Sequence, residues 1–481
     1  MQDTDALSEL KEYLGPKGFT DDPDVMAPWL TDWRGRFTGR AAALVSPENS
    51  AQVAHVVGIC ARHRIAIVPQ GGNSGMVAGA TPDDSGEQII VSLRRMNRID
   101  PIDSETGLLR CEAGVILQNL HEAVARQGRR FPLTLGGKGS ATIGGLVSTN
   151  AGGTQVLRHG TMRNLIAGIE AILPDGSLYD AMIPLKKDNR GYELKHLLIG
   201  GEGTIGIVTA AVVQTVPALL DRCVMWVGVD SPVQAYHLLL FMQARARDRL
   251  EGFEILPNRA LDAVTQHIPG TRAPLDTAHK WHVLMELVQD DPAQSAPAER
   301  ASDLLEEAIQ SGLMENATLA SSEAQADAFW KIRDSIAEAE RAAGPALQHD
   351  ISVPVDAMAK FIELESPVIE RQWPGSLTVA FGHMGDGNIH FHVKAPPGVD
   401  VSQWHASDAK AITAHVYDRV AAYHGSLSAE HGIGQAKIAE FERLSNPVRI
   451  ASLRAIKNAL DPLGIMNPGK LVPLAKVTMS D

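Results

Sequence analysis

Three histidines close to residue 390 have the types and spacing of a metal site. The string GHMGDGNIHFH contains His383, His390 and His392, with Asp386-Gly387 between the first two. Asp-Gly between alternating apolar residues predicts a two-residue hairpin turn. Pairing across a turn centred on this dipeptide places His383 directly opposite His390, with Cβ atoms about 5 Å apart. Two imidazoles at that separation suit one divalent metal ion, and His392 shares their face.

A second pair of chemically useful residues follows in SAEHGIG, where Glu430 and His431 are flanked by glycine. A carboxylate and a further histidine complete the donor set of a metal site with open positions. Histidines on a sheet also occur as ordinary solvated or hydrogen-bonded side chains. The residues alone therefore leave a metal site and a structural role open.

Glycine-rich segments form the other notable pattern. Of the 43 glycines, 23 lie between Gly71 and Gly206. The string PQGGNSGM follows a predicted strand, where successive small residues can turn backbone N–H groups into an anion cradle. A simple tight turn is the alternative. The richer segment 135–153 is harder to explain as turns alone, and it suggests a planar or extended ligand lying against bare backbone.

One glycine motif suggests a nicotinamide-binding fold that its surroundings in the sequence do not support. Residues 201–206 satisfy GxGxxG after an apolar run, which is typical of a dinucleotide-binding fold when a helix follows. Here the next residues, IVTAAVV, are strand-like. No acidic residue stands about 20 positions further on, so the sequence argues against a nicotinamide site.

Composition narrows the class of protein. The 481 residues carry a formal net charge of −13, and no basic block occurs, which argues against a nucleic-acid partner. The three cysteines are far apart and form no CxxC, so a disulfide framework or a thiolate metal site is not expected. The N-terminus lacks a signal-peptide or transit-peptide pattern, and no apolar run is long enough to span a membrane. We therefore expect a cytoplasmic protein.

The elements that must position these motifs follow from periodicity. An α/β pattern begins the chain, and β-branched runs dominate residues 88–216. Val216-Pro217 makes a plausible boundary, after which long amphipathic segments between strands predict an α+β domain. The predicted helices are 50–63, 117–126, 232–249, 297–311, 323–343, 406–423 and 447–460, and residues 395–403 are predicted to be a loop.

Several strings, in this order and spacing, resemble the FAD-binding domain of the vanillyl-alcohol-oxidase/PCMH flavoprotein superfamily. They are PQGGNSGM, PLTLGGKGSATIGGLVSTNAGG, RHGTMRNLIAGIEAILPDG and IGGEGTIGIVT. The C-terminal strings GHMGDGNIH and SAEHG resemble its branch of D-lactate, D-2-hydroxyglutarate and glycolate dehydrogenases. The resemblance extends from about residue 36 to residue 473.

This resemblance implies an α+β protein with three parts. Residues 1–217, with a core at 36–217, would form a PCMH-type FAD-binding domain of two subdomains. Residues 218–425 would form an α+β substrate domain that carries the histidine hairpin. Residues 426–481 would form a C-terminal helical segment that returns to the flavin.

The implied cofactor is non-covalent FAD, with its pyrophosphate at residues 71–75, its flavin and ribityl region at 136–145 and 150–153, and its adenine side at 201–208. The implied cofactor-binding residues are Gln70, Gly71, Gly72, Asn73, Ser74, Gly75, Met76, Leu135, Gly136, Ser140, Ile143, Gly144, Gly145, Asn150, Ala151, Gly152, Gly153, Glu202, Gly206, Ile207 and Asn467.

The resemblance also assigns the chemistry. His383, His390 and Glu430 would bind a zinc or manganese ion, and His431 would be the active-site base. Arg333 would hold the substrate C1 carboxylate, which suits the planar two-donor guanidinium. The other implied substrate-binding residues are Asn388, Gln348 and His392.

Two departures from the pattern bear on the substrate. Relatives that act on D-2-hydroxyglutarate usually carry Lys where this chain has Gln348, and Thr where it has Ala337. His392 also stands where the family usually has Asn. A distal carboxylate would lose a cation and a hydroxyl, so a monocarboxylate such as D-lactate or a larger apolar D-2-hydroxy acid is the expected substrate, with D-2-hydroxyglutarate as the alternative.

The expected reaction is oxidation of a D-2-hydroxy acid to a 2-oxo acid, with hydride transfer to flavin N5. By analogy, electrons would pass to an external acceptor, a quinone or a soluble electron carrier. A homodimer is compatible with this assignment. Two other classes stay open from the residues alone: a hydrolase that uses the metal to activate water, and a flavin-bearing binding protein without turnover.

Overall fold

A computed structural model describes residues 4–473 and divides them into two compact units. The first unit comprises the chain up to Gly153, Gly160–Pro217 and the chain from Glu430 onward. The second comprises Thr154–His159 and Ala218–Ala429. No helix within residues 4–473 combines the length and the low polarity needed to cross a bilayer.

The strands are, in chain order, β1 (Phe19–Thr20), β2 (Ala43–Val45), β3 (Ile67–Gln70), β4 (Ile89–Ser92), β5 (Leu108–Glu112), β6 (Arg129–Arg130), β7 (Ile166–Ile172), β8 (Leu178–Ala181), β9 (Ile207–Gln214), β10 (Val216–Pro217), β11 (Asp221–Val229), β12 (Leu250–Pro257), β13 (Trp281–Gln289), β14 (Asn316–Leu319), β15 (Ala346–Ser352), β16 (Leu377–His383) and β17 (Asn388–Lys394).

The helices are α1 (Thr4–Gly18), α2 (Pro23–Met26), α3 (Ser50–His63), α4 (Leu117–Ala125), α5 (Ile143–Thr149), α6 (Val156–His159), α7 (Met162–Leu165), α8 (Lys195–Leu198), α9 (Pro232–Ala246), α10 (Asn258–His267), α11 (Pro297–Gln310), α12 (Glu323–Asp334), α13 (Ile336–Ala342), α14 (Val355–Gln372), α15 (Val401–Ala406), α16 (Asp408–Ala422), α17 (Ile438–Leu444) and α18 (Pro447–Leu460).

The first unit contains two four-stranded sheets. One has the order β1-β2-β4-β3, in which β2, β4 and β3 are parallel. The crossover helix α3 begins after Asn49, whose side chain accepts a hydrogen bond from the backbone N–H of Gln52, and it buries a stripe that includes Val53, Val56 and Cys60. The other sheet, β5-β9-β7-β8, is antiparallel.

The C-terminal segment completes the core of the first unit. Met466 is buried and pairs with Ile67 of β3 in a parallel bridge. The ammonium of Lys457 donates hydrogen bonds to the carbonyl oxygens of Thr204 and Met466, both at 2.6 Å, and pairs with Asp461. Residues more than 250 positions apart are thereby bound together.

The second unit is built on an antiparallel sheet with the order β14-β11-β13-β12-β16-β17-β15. Strands β12 and β13 are almost wholly buried. Apolar residues of α10, α12 and α13 pack on one face of this sheet with Trp226, Leu256 and Phe381. This face carries the predicted histidines.

Some predicted elements are corrected. The predicted helix 323–343 divides at Ser335 into α12 and α13, and the predicted helix 232–249 ends as an α-helix at Ala246. The predicted loop 395–403 ends early because Asp400 caps α15 through the backbone N–H of Gln403. The predicted C-terminal part 426–481 includes residues 474–481, which lie outside the described residues.

Candidate active site

The histidine hairpin has a different register from the predicted one. His383 lies opposite Asn388, and Phe381 lies opposite His390, so four residues rather than two connect the strands. The predicted direct pairing of His383 with His390 is therefore wrong. Because the register differs by two residues, all three histidines nevertheless keep the same face of the sheet.

The rings on this face lie close together. The centroids of His383 and His390 are 5.5 Å apart. Phe381 lies 5.0 Å from both His390 and His392, centroid to centroid. The two predicted metal ligands of the second unit are thus diagonal neighbours, with Phe381 packed beside them.

A buried carboxylate links His383 to Arg333. Glu254 of β12 is 1% exposed and is the cross-strand partner of His383. Its Oε1 accepts a hydrogen bond from His383 Nδ1 at 2.5 Å, and its Oε2 accepts one from Arg333 Nε at 2.6 Å. Arg333 Nη2 lies 3.5 Å from His383 Nε2, and the guanidinium carbon lies 5.4 Å from the centre of the Phe381 ring.

The charges around this cluster determine its protonation. Burial by itself raises the pKa of Glu254, but the positive charge of Arg333 and the interaction with His383 outweigh it and hold that pKa well below its ordinary value. Burial, together with the charges of Arg333 and His383, lowers the pKa of His390 well below its ordinary value. Near neutral pH, Glu254 is therefore ionised and His390 is a neutral imidazole suited to bind a metal.

The neighbouring strand β15 adds polar groups to the same face. Asp350 pairs with His390 and Gln348 pairs with His392 in the β15–β17 register. Asn388 Nδ2 donates hydrogen bonds to Asp350 Oδ1 and to the carbonyl oxygen of Ile351. The Oδ1 atom of Asn388 is buried and has no hydrogen-bond partner among the described residues. The four predicted substrate-binding residues thus all belong to the second unit.

Sequence reasoning did not select Glu254 or Asp350. Glu254 could have been noticed as one of two acidic residues, with Glu251, inside LEGFEILP, whose other residues are apolar and whose length indicates a buried strand. Asp350 stands two residues after Gln348, but only the pairing of β15 with β17 places it beside His390.

In the first unit, the predicted pyrophosphate segment forms a loop directly after β3. Gly72 is required there because a Cβ atom would lie 1.7 Å from the carbonyl oxygen of Ser140, whereas Gly75 faces open space. Asn73 adopts a left-handed conformation with φ of 51°. Gln70 is buried, and its Oε1 has no hydrogen-bond partner in residues 4–473. This loop can present backbone N–H groups to an anion.

The second glycine segment contains a helix as well as turns. The Thr142 side chain caps α5 through the backbone N–H of Gly145, and Asn150 ends α5 in the left-handed conformation. Glycine is required at position 144 of this helix, because a Cβ atom there would lie 2.6 Å from the Cβ atom of Ala113. Of the predicted residues in the preceding loop, Gly136 faces open space.

The GxGxxG segment leads into strand β9, so the exclusion of a helix after it is confirmed. Glu202 is buried in a left-handed conformation, and its carboxylate accepts hydrogen bonds from the backbone N–H groups of Ile433 and Gly434, both at 2.7 Å. Asn467 Nδ2 donates to the carbonyl oxygens of Gly79 and Glu202, while its Oδ1 is buried without a partner in the described chain.

Glu430 and His431 begin the C-terminal segment of the first unit. Gly432 follows them with φ of 78°, a conformation that favours glycine. The hydrogen bonds from Ile433 and Gly434 to Glu202 hold the backbone just after His431.

The donor sets fit the expected groups. Open backbone at Gly75, Gly136 and Gly139, with the buried oxygens Gln70 Oε1 and Asn467 Oδ1, fits a large ligand rich in phosphate and hydrogen-bonding edges, such as FAD. Two imidazoles and a carboxylate fit zinc or manganese.

Family comparisons cover both units. Residues 41–181 match the family described as FAD binding domain, and residues 220–471 match the family described as FAD linked oxidases, C-terminal domain. The expected FAD-binding domain is thereby confirmed, and the matches favour a dehydrogenase over the hydrolase alternative.

Sequence similarity to known proteins extends over nearly the whole chain. The mitochondrial D-2-hydroxyglutarate dehydrogenase of Arabidopsis thaliana is 34% identical over 471 residues, covering 98% of this chain and 82% of the relative. A Schizosaccharomyces pombe protein, named provisionally as a mitochondrial D-lactate dehydrogenase, is 32% identical over 467 residues, covering 94% of this chain and 85% of the relative.

Solved structures agree on the fold. The structure of p-cresol methylhydroxylase with substrate bound matches with a TM-score of 0.73 at 15% identity, covering 97% of this chain and 96% of that chain. The predicted α+β, PCMH-type fold class is confirmed. The chain belongs to the family of FAD linked oxidases, and within it to the branch of FAD-dependent D-2-hydroxyacid dehydrogenases.

Proposed function

We propose that this protein oxidises a D-2-hydroxy acid to a 2-oxo acid with non-covalent FAD and a divalent metal, zinc or manganese. The observation that carries the proposal is the buried Arg333 guanidinium, which lies 3.5 Å from the Nε2 atom of His383 and on the same sheet face as His390. A carboxylate held by Arg333 would thus lie beside imidazoles that bind metal.

The FAD-binding role is assigned to the glycine loops and their neighbours in the first unit. The N–H groups of residues 71–75 would bind the pyrophosphate, and Gln70 and Asn467 would offer their buried oxygens to the cofactor. FAD bound there would supply the acceptor for the hydride that the substrate loses.

The metal ligands are proposed to be His383, His390 and Glu430. His383 is prepared for this role because its Nδ1–H is donated to Glu254, which leaves Nε2 as the atom with a lone pair. Chain connectivity supports the third ligand. Ser426 pairs with Ser352 of β15, and Glu430 comes only four residues after Ser426. A metal held by these residues would supply Lewis acidity to the reaction.

Substrate binding is assigned to Arg333 for the C1 carboxylate, with Asn388, Gln348 and His392 on the same sheet face. A guanidinium gives two parallel donors that match a carboxylate, so it fixes orientation as well as position. Positioning of this kind lowers the activation free energy by several kcal/mol.

His431 is proposed as the general base that accepts the hydroxyl proton. Glu202 supports this role, since it binds the two backbone N–H groups that follow Gly432 and so restrains the peptide that carries His431. A neutral imidazole has the proton affinity that this step requires near neutral pH.

The test is anaerobic flavin reduction by D- and L-2-hydroxy acids, followed by absorbance. In the His431→Ala variant we expect FAD to stay bound and reduction to slow by at least about 10²-fold. His405→Ala, which changes an exposed histidine of α15, is the control and should leave the rate unchanged. Equal rates in His431→Ala and the control would reject the base role.

The substrate is proposed to be a monocarboxylate such as D-lactate or a larger apolar D-2-hydroxy acid, because Gln348 offers no cation opposite His392. D-2-hydroxyglutarate is the second candidate, which the name of the Arabidopsis relative favours. Gln348→Lys should shift kcat/KM toward D-2-hydroxyglutarate, relative to D-lactate, by about tenfold, since a charge-assisted hydrogen bond contributes about 1.5–3 kcal/mol. Wild-type preference for the dicarboxylate would overturn the monocarboxylate assignment.

The reduced flavin is proposed to pass its electrons to an external quinone or soluble electron carrier. A homodimer is compatible with this function. The three cysteines are buried and unpaired, which supports a reducing compartment such as the cytoplasm. Cell fractionation decides between the cytoplasm and the mitochondrial location that the two relatives' names carry.

A further inference from the structure

The buried carboxylate of Glu254 lies between two residues that the proposed function uses, His383 and Arg333. It lies in β12, directly opposite His383 in the β12–β16 register. One carboxylate oxygen accepts a hydrogen bond from His383 Nδ1 and the other accepts one from Arg333 Nε. A single side chain therefore touches both the proposed metal ligand and the proposed substrate-binding arginine.

The contact with His383 selects one tautomer. Oε1 of Glu254 accepts from His383 Nδ1 while Oε2 accepts from Arg333 Nε, so in this arrangement Nδ1 of His383 carries the proton. With the proton at Nδ1, the neutral ring has its lone pair at Nε2, and Arg333 Nη2, which can only donate, lies 3.5 Å from that atom. Both neighbours favour the tautomer that a metal-binding histidine needs.

The contact with Arg333 orients the guanidinium. Nε is engaged by Glu254, while the guanidinium carbon lies 5.4 Å from the centre of the Phe381 ring. Nη2, one of the two terminal nitrogens, lies 3.5 Å from His383 Nε2. A carboxylate bound by those nitrogens would lie next to the metal-binding atom of His383.

We propose that Glu254 is a positioning residue that sets the distance and orientation between the metal ligand His383 and the substrate-binding Arg333. This inference rests on the proposed function. Glu254 does not touch the substrate in this account, and it acts through the two side chains that it binds.

Metal affinity of the FAD-loaded full chain tests the proposal, with Zn²⁺ titrated against a competing chelator. In Glu254→Gln only one oxygen accepts, and the amide nitrogen cannot accept from His383 or Arg333. We expect the dissociation constant for Zn²⁺ to rise by about 10- to 100-fold, while the ratio of flavin to protein stays unchanged.

Glu286→Gln is the matched control. Glu286 is a buried glutamate on the neighbouring strand β13, and it accepts a hydrogen bond from Trp330 Nε1 at 2.6 Å and pairs with Arg222. It has a comparable structural role without contact to His383 or Arg333 among the contacts described. We expect this variant to keep wild-type Zn²⁺ affinity even where its melting temperature falls.

Glu254→Asp provides a second variant in case the glutamine variant does not fold. It keeps the charge but is shorter by one methylene group, so it should fold and bind Zn²⁺ with intermediate affinity. Zn²⁺ affinities of Glu254→Gln or Glu254→Asp within twofold of wild type would overturn the positioning role. Failure of the wild-type protein itself to bind stoichiometric Zn²⁺ or Mn²⁺ would instead overturn the proposed metal site.

Discussion

At the scale of single residues, the glycines of the loop after β3 have two different explanations. Gly72 is required by close packing, because a Cβ atom there would collide with the Ser140 carbonyl oxygen. Gly75 has open space around it and an ordinary backbone conformation, so nothing in the protein itself forbids a side chain. Its glycine is explained if a ligand approaches the backbone.

Gly75→Ala should therefore separate folding from cofactor binding. We expect an unchanged melting temperature of the apoprotein and FAD binding weakened by at least about tenfold, equivalent to about 1.4 kcal/mol. Titration of the apoprotein with FAD, followed by flavin fluorescence, measures the affinity.

Gly58→Ala, in helix α3, is the control for this experiment. Its Cβ atom would meet only Arg62 Nη1 at 4.0 Å, so it should raise stability by about 0.5–1 kcal/mol without changing FAD affinity. Wild-type FAD affinity of Gly75→Ala would argue against the pyrophosphate assignment.

At the scale of elements, the central sheet of the second unit contains a histidine that is adapted to stay neutral. His282 of β13 is buried between Trp226, whose Nε1 donates to His282 Nδ1, and Asn258, whose Oδ1 accepts from His282 Nε2. Burial, with a smaller contribution from His279, lowers the pKa of His282 from 6.5 to about 4. Protonation would place two donors, Trp226 Nε1 and His282 Nδ1, against each other.

This arrangement predicts acid sensitivity of the second unit. Between about pH 6.5 and pH 4, the unfolded chain binds a proton at His282 whereas the folded protein does not. The free energy of unfolding is therefore unaffected by this group above pH 6.5, and it falls as the pH falls from 6.5 toward 4. The slope contributed by this group is about 1.4 kcal/mol per pH unit.

Urea unfolding at pH 7 and pH 5, followed by tryptophan fluorescence, measures this effect. In His282→Gln, an amide replaces the titrating ring and keeps one acceptor for Trp226, so the fall in unfolding free energy between the two pH values should be smaller. An equal fall in both proteins would locate the acid sensitivity elsewhere.

At the scale of the whole molecule, cofactor and metal are assigned to different groups of residues. The proposed FAD residues all belong to the first unit, and two of the three proposed metal ligands belong to the second. An overall charge of −13 does not itself prevent anion binding, because binding depends on local donors such as the buried guanidinium of Arg333.

Removal of the metal should accordingly leave the flavin in place. After treatment with dipicolinate we expect the full FAD absorbance, reduction by the D-2-hydroxy acid slowed by at least about 10²-fold, and recovery with Zn²⁺ or Mn²⁺, because Lewis-acid stabilisation contributes several kcal/mol.

Two histidine variants sharpen this measurement. His390→Asn should behave like the chelated protein even with metal present. His349→Asn changes a buried histidine of β15 that binds the Phe391 carbonyl oxygen and the Thr413 hydroxyl, and it should keep the response to metal. Full activity of the metal-free protein would remove the metal from the mechanism.

Local sequence patterns determined much of what this protein is. Asp-Gly between alternating residues indicated the histidine hairpin, and period-two alternation placed His383, His390 and His392 on one face. IVTAAVV after GxGxxG correctly indicated a strand. These inferences succeeded because they depend on neighbours within a few residues, where backbone geometry leaves few alternatives.

The tertiary structure decided the contacts between distant residues. The hairpin loop has four residues rather than two, so His383 faces Asn388, and Glu254 reaches His383 across 129 positions of sequence and Arg333 across 79. Such partners depend on strand order and register in the seven-stranded sheet. Burial and neighbouring charge then determine which of these groups ionise, and neither can be obtained from local spacing, because both depend on which strands and helices surround each side chain.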